Sequence, residues 1–278
     1  MTVLISIDPS FGNCVGLYKT LSLNDDVVAV FRQRDPKGFS DKIPCVYGFD
    51  NIPNADRYYI VSSDAFTSTN TPKKKTTVIL TDSYYLQYHK KINQILDGYR
   101  VFCMPDLSKY CTVEHKLYYP SFEYGGKIEK NDSLTLAHSP YSREKCGQKG
   151  TQKIEDAIEG LDIKLDVITG MSWEKAIDRK SHAHMFVDQI ADRLFNYSGG
   201  LGKSGVEAMA LKCLTFTSGG PIDGDIPAPP VEWIDKNTIA KRIKYYIDND
   251  SRMIDKTQDQ FDWYKEYLNY KFQASYLC

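Results

Sequence analysis

Phe195-Asn-Tyr-Ser-Gly-Gly-Leu-Gly-Lys-Ser-Gly-Val-Glu-Ala-Met-Ala-Leu-Lys-Cys-Leu-Thr-Phe-Thr-Ser-Gly-Gly220 reads as a glycine-rich loop, a short helix over Gly205–Leu211 and a buried strand over Leu214–Thr217. A helix that opens straight from such a loop turns its N-terminal N–H groups and the positive end of its dipole toward the loop, a setting that binds phosphate. Gly200 and Gly202, beside Lys203 and Ser204, let the backbone come close to a diphosphate. Glu207 is the one acid of the stretch. Ser204-Gly205-Val206-Glu207 has the spacing of a capping box, so the carboxylate has two uses open to it: capping the helix, or accepting hydrogen bonds from ribose hydroxyls.

Upstream, His138-Ser-Pro-Tyr-Ser-Arg143 follows a predicted strand over Leu134–Ala137, and Lys149-Gly150-Thr151 precedes a predicted helix over Thr151–Leu161. Arg143 can grip a phosphate with two parallel N–H groups, and Lys149 can add a mobile point charge. The plain alternative is a solvated basic loop. His138 can hydrogen-bond a sugar or organise its own loop. Ser218-Gly219-Gly220-Pro221 forms a further loop at the same expected edge.

The same strand–helix alternation runs through the rest of the chain. Strands are expected over Val3–Ile7, Val27–Phe31, Tyr58–Ser62, Thr77–Leu80 and Arg100–Cys103, with helices over Val15–Leu23 and Tyr84–Leu96. After the polar linker Tyr124–Asp132, it continues with Leu165–Ile168, Trp173–Ser181, Met185–Val187, Val231–Ile234, Ile239–Ile247 and a helix around Gln258–Tyr270. The economical solution is an α/β protein of parallel sheets, whose ligands bind at the carboxyl ends of the strands.

His138-Ser-Pro-Tyr-Ser-Arg143, Lys149-Gly150-Thr151, Phe186-Val187-Asp188-Gln189 and Gly205-Val-Glu207-Ala-Met-Ala210, in this order, resemble the nucleotide-sugar-binding half of GT-B glycosyltransferases near the large family 4-type group. The resemblance implies two Rossmann-like parallel-sheet domains with an interdomain cleft. Residues 1–125 would form the acceptor side and 126–278 the donor-binding side, with the C-terminal helices packing across the interface or finishing the second domain. It further implies a nucleotide diphosphate sugar as donor, above all a UDP-sugar, and no essential metal. In the family the basic pair that matches Arg143 and Lys149 neutralises the diphosphate, and the glutamate that matches Glu207 holds the ribose. Many retaining members carry another glutamate at the position that is Gly199 here, so the stereochemistry of transfer does not follow.

On the acceptor side, Asp8, Asp64 and Asp82 each stand at or just beyond a predicted strand end, placed to act as a base or to orient a hydroxyl. Each can equally cap a turn or helix. Gly12 and Gly16 would allow close approach to the donor. His182, His184 and Asp188 could imitate a metal site but lack a complete ligand set, and Asp223-Gly-Asp225 reads as a polar turn.

A formal charge of −1 gives no global attraction to nucleic acid or membrane, and only Lys73-Lys74-Lys75 and His89-Lys90-Lys91 offer a local basic groove. Seven scattered cysteines without a Cys-x-x-Cys pair favour reduced thiols. With no run of apolar residues long enough to span a bilayer, and Asp8-Pro9 closing the first apolar stretch, the expectation is a soluble cytoplasmic chain, in the host cytoplasm if phage-encoded. The leading acceptor is hydroxymethylcytosine in double-stranded DNA, as used by phage enzymes of related architecture, with Tyr84-Tyr85-Leu86-Gln87-Tyr88 available to stack on a flipped base. A cell-surface glycan or lipid-linked acceptor, a GT-B-shaped sugar epimerase and a non-catalytic nucleotide- or nucleic-acid-binding module are the alternatives.

Overall fold

The computed structural model describes residues 1–7, 14–32, 43–81, 83–140, 149–190, 200–222 and 224–277, with backbone alone at 51, 83, 84, 86 and 106. Asp8, Gly12, Asp82 and Arg143 lie outside the described residues. The chain folds as two compact units. One comprises Met1–Ser121, Gly224–Ile226 and Asn269–Cys278; the other comprises Phe122–Asp223 and Pro227–Leu268.

The first unit is built on β1 (Thr2–Ser6), β2 (Val27–Phe31), β3 (Cys45–Tyr47), β4 (Arg57–Val61), β5 (Thr76–Leu80), β6 (Arg100–Cys103) and β7 (Lys116–Leu117). They form one parallel sheet in the order β3-β2-β1-β4-β5-β6-β7. Its helices are α1 (Cys14–Leu21), α2 (Ser63–Thr67), α3 (Ser83–Leu96) and α4 (Pro105–Ser108). The second unit carries β8 (Thr135–His138), α5 (Thr151–Ile158), β9 (Lys164–Val167), α6 (Trp173–Ser181), β10 (Met185–Val187), α7 (Lys203–Ala210), β11 (Leu214–Ser218), β12 (Glu232–Ile234), α8 (Ile239–Ile247) and α9 (Asp250–Tyr267). Its sheet is also parallel, in the order β12-β11-β10-β8-β9. A last helix, α10 (Tyr270–Leu277), returns to the first unit.

The two-residue period of a strand explains why the central strands of the first sheet are apolar throughout. Val3 and Ile5 point to one face, with Ile60, Val78, Leu80 and Val101, under Phe66 of α2 and Ile92 and Leu96 of α3. Leu4 points to the other, with Ala29, Phe31, Val61, Ile79 and Phe102, under Leu17 and Leu21 of α1 and Leu277 of α10. Both faces are covered, so neither can alternate apolar with polar. In the second unit Leu136, Val187, Leu214 and Phe216 meet Ile154 and Ile158 of α5 and Ile239 and Ile243 of α8. On β11 the ladder to β12 begins only at Phe216, and the buried amide of Gln260 on α9 takes up Thr215, accepting from its N–H at 2.8 Å and donating to its carbonyl at 3.1 Å.

Candidate functional site

In the second unit every strand points the same way, so the loops after β8, β10 and β11 share one edge with the start of α7. Asp188, directly after β10, knits that edge together. Its side chain is fully buried; one oxygen accepts from Lys149 Nζ at 2.9 Å and the other from the Gly202 N–H at 2.6 Å. A Cβ on Gly202 would stand 3.0 Å from the same carboxylate, so the close approach of chain to carboxylate explains the glycine. Gly200, at φ 132°, donates to the Ser218 carbonyl at 2.7 Å, while its own carbonyl accepts from Gln189 Nε2 and Thr217 Oγ1. Gly200 and Gly202, in the described end of the predicted phosphate loop, are thus held from β10 and β11. Asp188→Ala is expected to lower stability by about 2–3 kcal/mol, since it strands both Lys149 and a backbone donor. Denaturant melts check this, and Asp188→Asn, which keeps an acceptor for Gly202, should lose less.

Helix α7 starts at Lys203 rather than Gly205, after a Gly202 cap that makes no side-chain cap bond. The capping box therefore does not form. Asp188 takes the N-terminal N–H from outside, and Ser204 Oγ is used by Lys180 at 2.9 Å. Glu207, freed from capping, is 4% exposed and accepts from Trp173 Nε1 and Lys180 Nζ, each at 2.8 Å. Burial opposes its ionisation, but the charges of Lys180 and Lys203 and the bonds from Lys180 and Trp173 outweigh it and hold the carboxyl below the usual range. Lys203 stands 3.9 Å from this carboxylate and over the Trp173 ring.

His138 ends β8 fully buried. Its Nδ1 bonds the Val187 carbonyl at 2.8 Å, so Nδ1 carries the proton and Nε2 accepts from the Thr151 hydroxyl at 3.0 Å. Burial drives its pKa down to about 4, against the opposing pull of the Val187 carbonyl, and the ring is neutral. With both nitrogens engaged, His138 ties β8 to β10 and to the start of α5. This geometry favours organising the loop over touching a sugar.

In the first unit Asp64 sits in the first turn of α2, just past β4, paired with Arg32 at 3.2 Å. Ser62, which caps this helix by accepting from the Ala65 N–H, has φ 81°, a conformation rare for any residue but glycine. Ser6 at the end of β1, Thr81 just past β5 and Thr169 beyond β9 carry buried hydroxyls without a partner among the described residues. Such orphans at the carboxyl edges are completed by ligand or water.

Three further groups of residues named in the sequence have definite places among the described residues. Tyr85 is fully buried and donates to Asn93 Oδ1 at 2.8 Å, so it packs the core and is not available to stack on a base. Lys73–Lys75 form a turn at the amino end of β5, opposite the edge that holds Asp64. His182 bonds the Glu129 carbonyl and His184 accepts from the Thr135 N–H, and no cluster of three metal-ligating side chains occurs among the described residues. No helix among them is long and apolar enough to cross a membrane.

Lys180 was not legible as a site residue, and Asp188 was legible only as part of the Phe186–Gln189 motif. Trp173 and Lys180 lie seven apart on one face of α6, a spacing that could have marked Lys180 as facing α7.

No protein-family model matches the chain, and no curated protein does. Solved structures match it from end to end. Anabaena Alr3699/HepE in complex with UDP and glucose superposes with a TM-score of 0.68 at 10% identity, covering 100% of this chain and 99% of the other. The fold is GT-B. An α-glucosyltransferase in complex with UDP and a 13-mer DNA containing an HMU base gives 0.66 at 10% identity, covering 99% of this chain and 98% of its own. T4 phage BGT in complex with UDP and Mn2+ gives 0.53 at 12%, covering 99% and 97%. At such identities the likeness is one of fold. Within the GT-B fold the knitted loop at α7 belongs to the second of the two parallel sheets.

Proposed function

We propose that this GT-B chain is a glycosyltransferase that moves a sugar from a UDP-sugar to an acceptor hydroxyl, and that the acceptor is a hydroxymethylated base in double-stranded DNA. The observation that carries the donor is the end-to-end likeness to UDP-bound structures, an α-glucosyltransferase among them, with almost the whole of both chains covered. The DNA acceptor is supported by neighbours solved with UDP and DNA together.

In the reaction the bond from the anomeric carbon to the β-phosphate oxygen breaks, the acceptor oxygen bonds that carbon, and the acceptor proton passes to a base. Negative charge grows on the departing diphosphate, where fixed positive groups lower the barrier most. Lys149, Lys203, Arg143 and the α7 N-terminus serve there, with Gly200, Gly202 and Ser204 giving the backbone and hydroxyl that border the phosphates. Asp188 keeps Lys149 and the loop in place without neutralising both free protons of the ammonium. Glu207 acts on the donor through Lys180, Trp173 and Lys203 rather than at the ribose, since it is 4% exposed with its carboxylate turned to Trp173 and Lys180. Asp64, with Asp8 and Asp82 as the other candidates, orients or deprotonates the acceptor hydroxyl. His138 positions the β8 loop.

Release of UDP from UDP-glucose tests this, with duplex DNA bearing hydroxymethylated pyrimidines, the same duplex unmodified, and glycan acceptors as separate arms. Turnover only with hydroxymethylated DNA is expected, undiminished by EDTA because cationic side chains and a helix N-terminus meet the diphosphate charge. Turnover only with glycans would move the acceptor, binding of UDP without turnover would end the enzyme assignment, and loss in EDTA restored by Mn2+ would end the metal-independent mechanism.

A further inference from the structure

The first sheet has a second edge, which the proposed transfer does not use. At the amino ends of β4, β5 and β6 lies a pocket of about 580 Å³ lined by Arg57, Lys73, Lys74, Lys75 and Arg100, with Tyr99 in its wall. Its one carboxylate, Asp56, is paired with the Met1 amino group at 2.9 Å.

Two of the lysines are held in place by the fold. Lys73 Nζ donates to the Asp97 carbonyl at 3.0 Å and stands 5.4 Å from the centre of the Tyr99 ring; Lys75 Nζ donates to the Ala55 carbonyl at 3.1 Å. Carbonyls take one proton each and leave the charge uncancelled, so each ammonium keeps two donors. Arg57 and Lys74 are exposed and make no ion pair or side-chain hydrogen bond among the described residues. A chain of net charge −1 has thus gathered five cations around one concavity, where the walls focus their field.

The positive field is short. Beyond Arg57 the neighbouring hollow is lined by Asp25 and Asp56, two carboxylates that share the single ammonium of Met1, and the negative charge left over would repel a polymer backbone running onward. The site therefore suits a compact anion. It is also separate from the transfer edge: β4 and β5 have five residues each, which at the rise of a parallel strand puts their two ends about 13 Å apart.

We propose that this pocket binds a small ligand carrying two or three adjacent phosphate groups, at the sheet edge remote from Asp64. Tripolyphosphate is the probe, titrated calorimetrically into the whole chain at two salt concentrations. Arg57→Ser combined with Lys74→Ser should weaken binding by about tenfold or more, since two charge-assisted contacts are lost, while Lys149→Ala weakens only a separate isotherm at the donor edge and leaves this one unchanged. Both substituted side chains are exposed, so the unfolding midpoint of the double variant should match the parent, and the melt is run alongside. Equal affinity in the double variant overturns the proposal, as does loss of binding in Lys149→Ala, which would locate the probe at the donor edge. Absence of tripolyphosphate binding overturns it too; a short DNA duplex that bound instead, through Arg57 and Lys74, would make this edge a nucleic-acid surface.

Discussion

Lys180→Met should destabilise the protein by about 3–5 kcal/mol, the usual result of leaving one member of a buried ion pair behind. Lys180 is 1% exposed. Its ammonium donates to Glu207 at 2.8 Å, to Ser204 Oγ at 2.9 Å and to the Ser204 carbonyl at 3.3 Å, and it lies 4.8 Å from the centre of the Phe186 ring. Three protons meet three acceptors. Methionine fills the volume but satisfies none of them, and Glu207 keeps the Trp173 hydrogen bond and the more distant charge of Lys203 at 3.9 Å. Adding Glu207→Gln to Lys180→Met removes the stranded charge and should recover most of the loss, so the two changes will be strongly non-additive in urea melts. A near-neutral single variant would show that water reaches this carboxylate. Glu207→Gln alone separates positioning from ribose binding: a greater loss of stability than of UDP affinity is expected, and the reverse balance would return the carboxylate to the ribose.

This cluster also marks where the sequence ceased to be legible. Parallel strands flanked by helices could be read because apolar runs such as Val3–Ile5 and Val27–Phe31 have few other solutions, and the glycine loop before α7 could be read because glycine spacing is local. Lys180 could not. Beside Arg179 it looks like any solvated lysine, and only the docking of α6 on α7 buries it. The role of Asp188 was hidden for a related reason, though its motif was not: its partners, Lys149 and Gly202, come from a preceding helix start and a following loop. Tyr85 erred in the opposite direction, since an aromatic cluster looks the same whether it packs a core or waits for a base. The short edge strands β3 and β7, with three and two residues, carry too little periodicity to be seen. The return of α10 to the first unit rests on contacts such as Tyr59 Oη donating to the Leu277 carbonyl at 3.1 Å, across more than two hundred residues.

The second large effect is expected in acid. In the unfolded chain His138 titrates near the usual histidine value of 6.5, whereas in the folded protein it does so only at about 4. Between these values the unfolded state takes a proton that the folded state refuses, so stability falls as the pH falls. The full contribution is present above 6.5 and gone below about 4. At about 1.4 kcal/mol for each pH unit of separation it amounts to roughly 3 kcal/mol. His138→Asn can still donate an amide N–H to the Val187 carbonyl but cannot titrate. It should be less stable than the parent at pH 7, having lost the Thr151 bond, yet show a shallower decline from pH 6.5 to 4 in urea melts. Some slope will persist, because burial and Lys130 also lower the pKa of His184, which must stay unprotonated at Nδ1 to accept from Thr135. An unchanged slope in His138→Asn would mean that water or a mobile neighbour relieves the buried imidazolium. The end of β8 would then be loose where the hydrogen bonds from His138 to Val187 and Thr151 hold it.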